Sequence, residues 1–223
     1  MIALKNNLGS DFVERVRAFF SENGPLSKAK NFEFRPQQQE MAARVAQALE
    51  EEHHLVVEAG TGVGKSLGYL VPSVLFALER HKKAIISTHT INLQEQLLHK
   101  DIPILKKVLA VEFDAALMKG RQNYLCPRRL ERALQNEQEL FTGPERSELQ
   151  RLAEWARATR DGSLSDLSVE PDSKVWAQVC SEAHICTQKT CGQDPRCFYQ
   201  QARKRLLMAD VIVLNHTLLF ILM

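Results

Sequence analysis

The sequence predicts an α/β fold, in which helices cover both faces of a parallel sheet and a mostly helical sub-domain is inserted into it. Three observations support this prediction. Short β-branched runs alternate with helical stretches, and the glycine-rich segment AGTGVGKS stands between one such strand and the next helix. The alternation then stops between Cys126 and Cys197 and resumes after them. A chain of 223 residues is long enough for one full core and a sub-domain.

The order of the elements follows from the apolar periodicity. Helices are predicted near 11–22, 36–50, 67–78, 92–100 and 198–208, and strands near 55–57, 84–87, 115–118 and 210–214. We therefore divide the chain into an N-terminal helix with a linker (1–30), the first part of a sheet domain (31–125), an inserted sub-domain (126–197) and a return to the sheet (198–223).

Composition limits the classes of function. The hydrophobic share of 44% and the charged share of 25% are ordinary for a soluble protein, and a net charge of +2 requires any nucleic-acid surface to be a local patch. The first residues show no secretory signal, and the apolar C-terminal run is interrupted by Asn215 and His216. We expect no membrane association and a cytoplasmic protein, nucleoid-associated when bound to DNA. In that compartment clustered cysteines are more often metal ligands than disulfides.

The segment AGTGVGKS has the composition of a phosphate-binding loop. Glycines let backbone N–H groups approach a phosphate, and the following helix N-terminus favours negative charge. We expect Lys65 to reach the β- and γ-phosphates of ATP and Ser66 to ligate Mg²⁺, as the catalytic pair of the loop. The nucleotide-binding residues are predicted to be Ala59, Gly60, Thr61, Gly62, Val63, Gly64, Lys65 and Ser66. Ala59 replaces the first glycine of the strict pattern, and the alternative is a glycine-rich turn that binds nothing.

Further motifs occur in order around this loop: FRPQQQEMAARVAQAL, STHTINLQEQLL, KGRQNYLCPRRL and CFYQQARKRLLMADVIVLNH. From about residue 33 to residue 219, the chain resembles the N-terminal part of the DinG-type, XPD-like superfamily 2 DNA helicases. The resemblance implies a RecA-like P-loop domain that carries an inserted [4Fe-4S] sub-domain, with ATP-driven 5′ to 3′ unwinding of DNA in repair or replication.

The resemblance also implies roles for polar residues. Gln38 matches the glutamine that reads adenine, while Thr88, Thr90 and Gln94 match a motif that holds the backbone of single-stranded DNA. A motor that moves along any sequence needs such backbone contacts. The alternative for the threonines is a polar strand end that caps the next helix.

Four cysteines match the iron–sulfur pattern of the family. They are Cys126, Cys186, Cys191 and Cys197, and the resemblance implies that they hold a [4Fe-4S] cluster. A local zinc site drawn from Cys180, His184 and the last three of these cysteines stays open as the alternative. We interpret Cys180 as a buried or spare thiol.

Basic and aromatic residues interleave around Cys126 and after Cys197. Such a combination is typical of single-strand binding, and we predict contacts from Lys119, Arg121 and Tyr124 to single-stranded or forked DNA. The alternative is a solvated basic surface with aromatic residues packed over the cluster. For Phe198 we favour this packing role.

The 223 residues contain no Asp-Glu-Ala-His motif. We therefore expect this chain alone neither to hydrolyse ATP efficiently nor to unwind DNA, and a second motor domain in the intact protein. Two other hypotheses stay open, a P-loop ATPase with a structural zinc module and a DNA-binding protein without catalysis. The sequence predicts no oligomeric state.

Overall fold

The computed structural model describes residues 10–29, 33–185, 189 and 194–222. Their contacts divide the chain into two compact units, one formed by the residues up to Ala116 with Ala209–Leu214, and one by Leu117–Met208 with Asn215 onwards. The sequence-based boundaries at residues 126 and 197 lie inside the second unit and remain predictions of where the insertion begins and ends. No helix among the described residues is long and apolar enough to cross a membrane.

The first unit contains a three-stranded parallel sheet with helices packed on it. Its elements are α1 (Ser10–Phe19), a 3₁₀ turn (Pro25–Lys28), α2 (Pro36–Glu50), α3 (Lys65–Arg80), β1 (Ala84–Thr88), α4 (Ile91–Gln96), a π-helical turn (Leu97–Asp101), α5 (Ile102–Leu109), β2 (Ala115–Leu117) and β3 (Val211–Asn215). The strand order is β1-β3-β2, so the last strand along the chain lies in the centre of the sheet. Its residues Val211 to Leu214 are all buried, as expected for a central strand.

Helix α1 is fixed to both helices that flank the glycine-rich loop. Arg15 donates two hydrogen bonds to the carboxylate of Glu79 on α3, at 2.7 and 2.9 Å. Arg17 pairs with Glu40 on α2 at 3.0 Å. The apolar face of α1, which includes Val16 at 0% exposure, is buried. The N-terminal helix is therefore part of the first unit rather than a separate arm.

The strand predicted at residues 55–57 is absent from the described structure. Residues 53–60 form neither helix nor strand, and the side chain of Val56 is 96% exposed. A strand requires a neighbour to accept and donate its ladder hydrogen bonds, and the three described strands pair only with one another. The prediction of a strand was therefore wrong for the described structure. The helix predicted near 67–78 is present as α3 and begins two residues earlier, at Lys65.

The second unit is mostly helical and has its own core. Its helices are α6 (Pro127–Gln135), α7 (Glu137–Leu140), α8 (Gly143–Ala158), α9 (Ser173–Val179), α10 (Phe198–Met208) and α11 (His216–Leu222), with 3₁₀ turns at Arg121–Asn123 and Leu164–Asp166. Leu149, Leu152 and Val175 are fully buried in this core, and Phe198 packs against it. The predicted packing of Phe198 over a cluster remains a prediction. A capping box between Thr142 and Glu145 begins α8.

Two antiparallel bridges join the separate segments of the second unit. Tyr124 pairs with Ser163, and Leu125 pairs with Cys180. The amide of Cys126 donates to the carbonyl of Val179 at 2.8 Å, beside the second bridge. Residue Cys126 is thereby tied to the segment that follows α9.

Candidate functional site

The glycine-rich loop lies between an extended segment and the N-terminus of α3. Gly62 and Gly64 both have φ near +83°, a left-handed conformation that favours glycine. Gly64 is the N-cap residue of the 16-residue helix α3, so the loop ends where the helix dipole presents its positive end. The Nζ atom of Lys65 donates to the carbonyls of Ala59 and Gly60, both at 2.9 Å. The lysine thus closes the loop on itself.

Two residues from the start of α2 hold the same loop from the other side. Gln38 is 6% exposed, and its Nε2 atom donates to the carbonyl of Gly64 at 2.8 Å. Arg35 donates to the carbonyl of Gly62 at 2.5 Å and pairs with Glu33 at 2.7 Å. Sequence reasoning predicted an adenine contact for Gln38, which remains a prediction, and it missed Arg35. The signal for Arg35 was its position directly before Pro36, at the start of the helix that carries Gln38.

The three residues assigned to the DNA-backbone motif differ in their exposure. Thr88 and Gln94 are buried, at 8% and 0% exposure, while Thr90 is exposed. The hydroxyl of Thr90 accepts a hydrogen bond from the amide of Leu93 at 3.3 Å and so caps α4. The capping role that we held as the alternative is therefore present for Thr90. Contacts of all three residues to DNA remain a prediction.

Lys119 and Tyr124 are internal residues of the second unit, at 3% and 2% exposure. The ammonium group of Lys119 donates to the hydroxyl of Ser163 at 2.7 Å and also to that of Ser165. The hydroxyl of Tyr124 accepts from the amide of Lys119 at 3.0 Å, and burial raises the pKa of Tyr124. A phosphate contact by Lys119 would require a different position of its side chain.

Arg121 is the partly exposed member of the predicted DNA-binding set in the second unit. Its guanidinium lies over the ring of Tyr199, with 4.1 Å between the guanidinium carbon and the ring centroid. Tyr199 also meets Tyr124 edge to face, at 5.9 Å between ring centroids. The three side chains form a stacked cation–aromatic group at the start of α10.

Several arginines of the predicted basic surface are paired within the second unit. Arg128 pairs with Asp194 at 3.3 Å, and Arg205 pairs with Asp161 at 2.9 Å. Arg196 pairs with Glu131 at 2.6 Å and with Asp194 at 3.1 Å. Arg129 binds the carbonyls of Ala177 and Cys180 and the carboxylate of Glu182. The local positive charge available to a polyanion is therefore smaller than the sequence indicates.

Two of the four predicted metal ligands lie among the described residues. Cys126 and Cys197 are buried, at 3% and 5% exposure, and are not in disulfides. Each directly precedes a helix, and its carbonyl accepts the first helical hydrogen bond, from Leu130 and Gln201 respectively, both at 3.0 Å. The N-terminal end of a helix favours negative charge, which suits a metal-binding thiolate.

Cys186 and Cys191 lie outside the described residues. Within the described ranges no group of three or more His, Cys, Asp or Glu side chains is arranged to hold a metal ion. The ion pairs of Arg128 and Arg196 nevertheless join α6, which begins after Cys126, to the turn at residues 194–196, which precedes Cys197.

Cys180 pairs with Leu125, the residue directly before Cys126, in the second antiparallel bridge. Cys180 and Leu125 belong to the helical core, and burial raises the pKa of the Cys180 thiol. The hydroxyl of Ser181, at 1% exposure, has no hydrogen-bond partner among the described residues. Such an orphaned buried hydroxyl is rare in proteins and fits a site that binds a further group.

Comparison with known families matches residues 35–149 to the DEAD/DEAH box helicases. The chain belongs to this family. The match covers the glycine-rich loop, α2 and the segment around Thr90, and it confirms the resemblance predicted from the motifs.

Individual relatives of this DEAD/DEAH box helicase chain are longer proteins. The ATP-dependent DNA helicase YoaA of Haemophilus influenzae is 38% identical over 94% of this chain and 32% of that protein. The ATP-dependent DNA helicase DinG of Photobacterium profundum is 41% identical over 85% of this chain and 29% of that protein. The 3′-5′ exonuclease DinG of Bacillus subtilis is 31% identical over 84% of this chain and 20% of that protein. The chain thus spans about a third or less of the length of these curated relatives.

Proposed function

We propose that this chain is the nucleotide-binding motor lobe of an ATP-dependent DNA helicase. The observation that carries the proposal is the loop at Gly60–Ser66, which ends in a helix N-terminus and is held by Gln38 and Arg35. Family membership supports ATP as the nucleotide and Mg²⁺ as its metal ion. The names of the relatives support DNA as the polymer on which the intact protein acts.

The loop's own groups account for nucleotide binding. Its backbone N–H groups and the α3 dipole would cradle the phosphates, while the ammonium of Lys65 would leave the carbonyls of Ala59 and Gly60 for the β- and γ-phosphates. Ser66 would offer its hydroxyl oxygen to Mg²⁺. Steady hydrolysis also needs an acidic residue that activates water, and no Asp-Glu-Ala-His motif occurs in the 223 residues. We therefore propose that this polypeptide binds Mg-ATP without efficient turnover or unwinding.

The second unit is proposed as a [4Fe-4S] sub-domain of the same motor, with Cys126, Cys186, Cys191 and Cys197 as ligands. Two buried thiols at helix N-termini and the orphaned hydroxyl of Ser181 support a bound group in this unit. When bound, the cluster would supply four iron–thiolate bonds that tie distant segments together. We also propose that single-stranded or forked DNA contacts Arg121 in this unit and Thr90 in the first unit. The intact protein would then act as a motor in DNA repair or replication.

Calorimetric titration of the chain with Mg-ATP tests the nucleotide site. We expect Lys65→Ala to abolish measurable binding, while Lys107→Ala, which removes an exposed lysine of the same unit, leaves binding unchanged. Equal affinity in the wild type and in Lys65→Ala would refute a functional P-loop.

Iron, sulfide and zinc analysis of chain purified without oxygen tests the second unit. We expect about four irons and four sulfides per chain, lost in Cys126→Ser and retained in Cys180→Ser. One zinc that survives Cys126→Ser but is lost in Cys180→Ser would instead favour the local zinc module.

A further inference from the structure

Asp194 is a largely buried carboxylate that two arginines surround. Its side chain is 8% exposed, whereas those of Arg128 and Arg196 are about half exposed. Its Oδ1 atom accepts hydrogen bonds from the backbone amide and the Nε atom of Arg196, at 2.9 and 3.2 Å. Its Oδ2 atom accepts from a terminal nitrogen of Arg196 at 3.1 Å and from Nε of Arg128 at 3.3 Å. These charge-assisted bonds offset the cost of burying the carboxylate and hold it in one position.

The same residue organises the turn that leads to Cys197. Its backbone carbonyl accepts from the amide of Cys197 at 3.1 Å, while its carboxylate holds the amide of Arg196. Gln201, in the first turn of α10, donates its Nε2 atom to the carbonyl of Pro195 at 2.6 Å and its amide to the carbonyl of Cys197 at 3.0 Å. The thiol of Cys197 is therefore placed, directly before α10, by a turn whose conformation depends on the Asp194 side chain.

Asp194 also reaches the segment that carries Cys126. Arg128, which donates to Asp194 from 66 residues away in sequence, lies in the first turn of α6, two residues after Cys126. Arg196, which Asp194 orients, donates to the carboxylate of Glu131 on the same helix at 2.6 Å. Two ionic contacts thus join α6 to the turn before Cys197, and each uses either Asp194 or the arginine that it orients.

Metal ligands are commonly fixed by protein groups that do not touch the metal, and loss of such a group typically lowers metal affinity by about 10–100-fold. We propose that Asp194 is a positioning residue for the metal site of the second unit, which holds the segments of Cys126 and Cys197 at a fixed separation. It acts through a backbone amide and through α6, not as a ligand. The inference rests on the proposed [4Fe-4S] sub-domain and adds the residue that places two of its four thiolates.

Iron release from chain purified without oxygen is the first measurement. An excess of a coloured iron chelator is added, and the absorbance of the iron complex gives the rate. We expect Asp194→Ala to release iron about 10–100-fold faster than wild type, because two of the thiolates are no longer held in place.

Alkylation of individual cysteines in the chelator-treated chain is the second measurement, and it needs no bound metal. Mass spectrometry of the peptides gives a rate of reaction with iodoacetamide for each thiol. Cys126 and Cys197 are 3% and 5% exposed, so their alkylation requires local opening. We expect Asp194→Ala to raise both rates about tenfold, the effect of lost hydrogen bonds to a charged group. Cys180, which is buried in the helical core of the same unit, should keep its rate and so reports global unfolding.

Two further variants separate positioning from a general loss of stability. Asp194→Asn keeps an acceptor oxygen for the amide of Arg196 but no charge for Arg128, so Cys126 should react faster while Cys197 stays protected. It also replaces Asp194→Ala if that variant does not fold. Asp172→Ala is the matched control, because the Asp172 carboxylate accepts from the amide of Lys174 at 2.8 Å and caps α9 in the same unit. It should change neither iron release nor the two alkylation rates.

Three results would overturn the inference: wild-type behaviour of Asp194→Ala in both measurements, an equal rise in the Cys180 rate, or the same effects from Asp172→Ala. Fast alkylation of all three cysteines in the wild-type chain would overturn it as well, since protein groups alone would then not hold the two segments. A wild-type chain that contains no iron would instead overturn the proposed cluster, and the alkylation rates would still decide the role of Asp194.

Discussion

Gln38 donates its side-chain amide to the backbone carbonyl of Gly64, with 2.8 Å between Nε2 and the oxygen. The bond joins α2 to the last glycine of the glycine-rich loop, across 26 residues of sequence. Because Gln38 is 6% exposed, water competes little for this bond. Gln38 therefore shapes the loop, whether or not its remaining oxygen also contacts the base of a nucleotide.

Replacement of Gln38 by Met should lower the affinity for Mg-ATP about tenfold. Methionine has similar length but cannot donate to the Gly64 carbonyl, so the loop loses one of its supports at a cost of about 1.5 kcal/mol. Calorimetric titration measures the change. Gln47→Met is the matched control, because Gln47 lies on the same helix and bonds only to Glu51, in exposed positions. Equal affinities of the two variants would contradict the role of Gln38.

Gly64→Ala should destabilise the first unit, whereas Gly60→Ala should not. Gly64 has φ +83°, and an added Cβ would overlap the amide of Gln38; a left-handed alanine alone costs about 1–2 kcal/mol. At Gly60 no heavy atom lies within 4 Å of an added Cβ. Urea unfolding monitored by circular dichroism compares the two variants with wild type. Equal stability of both variants would show that the loop conformation does not depend on Gly64.

The sequence predicts more of the nucleotide loop than of the other sites, for physical reasons. A glycine-rich turn and a helix directly after it are local properties of the chain, and the structure has both, with the helix beginning at Lys65 rather than near residue 67. The strand at 55–57 depends on a neighbour elsewhere in the sheet, which local pattern does not contain. The burial of Lys119 likewise depends on Ser163 and Ser165, more than 40 residues away, so the local sequence gave no sign that its ammonium group is internal.

The contact between α1 and α2 should make stability fall at acid pH. The hydrogen bond from Arg17 lowers the pKa of Glu40 below its ordinary value, with a further contribution from Arg44. The folded state thus holds this proton less tightly than the unfolded chain. The stabilisation is present above the unfolded pKa, about 4.3, and is lost as pH falls through the folded value.

Glu40→Gln removes this group, so the variant should show a smaller loss of stability between about pH 5 and pH 3 than wild type. Thermal unfolding across that range measures the difference. Since the pair is about half exposed, added salt should reduce the effect in wild type. Parallel pH curves for the two proteins would contradict the prediction.

Arg121→Ala and Lys119→Met should have different effects on DNA binding and on stability. Arg121 is partly exposed and stacks on Tyr199, so its loss should weaken binding to an oligothymidylate. The slope of log Kd against log salt concentration should fall by about 1, the value for one lost phosphate contact. Lys119 is internal, so Lys119→Met should mainly destabilise the second unit. Fluorescence anisotropy at several salt concentrations, with an unfolding curve for each variant, separates the two effects. A Lys119→Met variant of normal stability with weakened DNA binding would reverse the assignment.

Arg129→Met should destabilise the second unit by about 2–4 kcal/mol, although its position in the sequence suggests a DNA contact. Its guanidinium, with the side chain 14% exposed, donates to the carbonyls of Ala177 and Cys180 at 2.7 and 2.6 Å and pairs with Glu182. Removal takes this donor away from two carbonyls and a carboxylate at the end of α9, beside the segment that continues toward Cys186. Both tryptophans of the chain, Trp155 and Trp176, pack in this unit, so tryptophan fluorescence during urea unfolding follows the second unit alone.

Arg132→Met, which replaces an exposed arginine on the same helix, is the control and should shift the unfolding midpoint little. If Arg129→Met unfolds at the wild-type midpoint but binds oligothymidylate more weakly, Arg129 belongs to the DNA-binding surface and not to the framework of the unit.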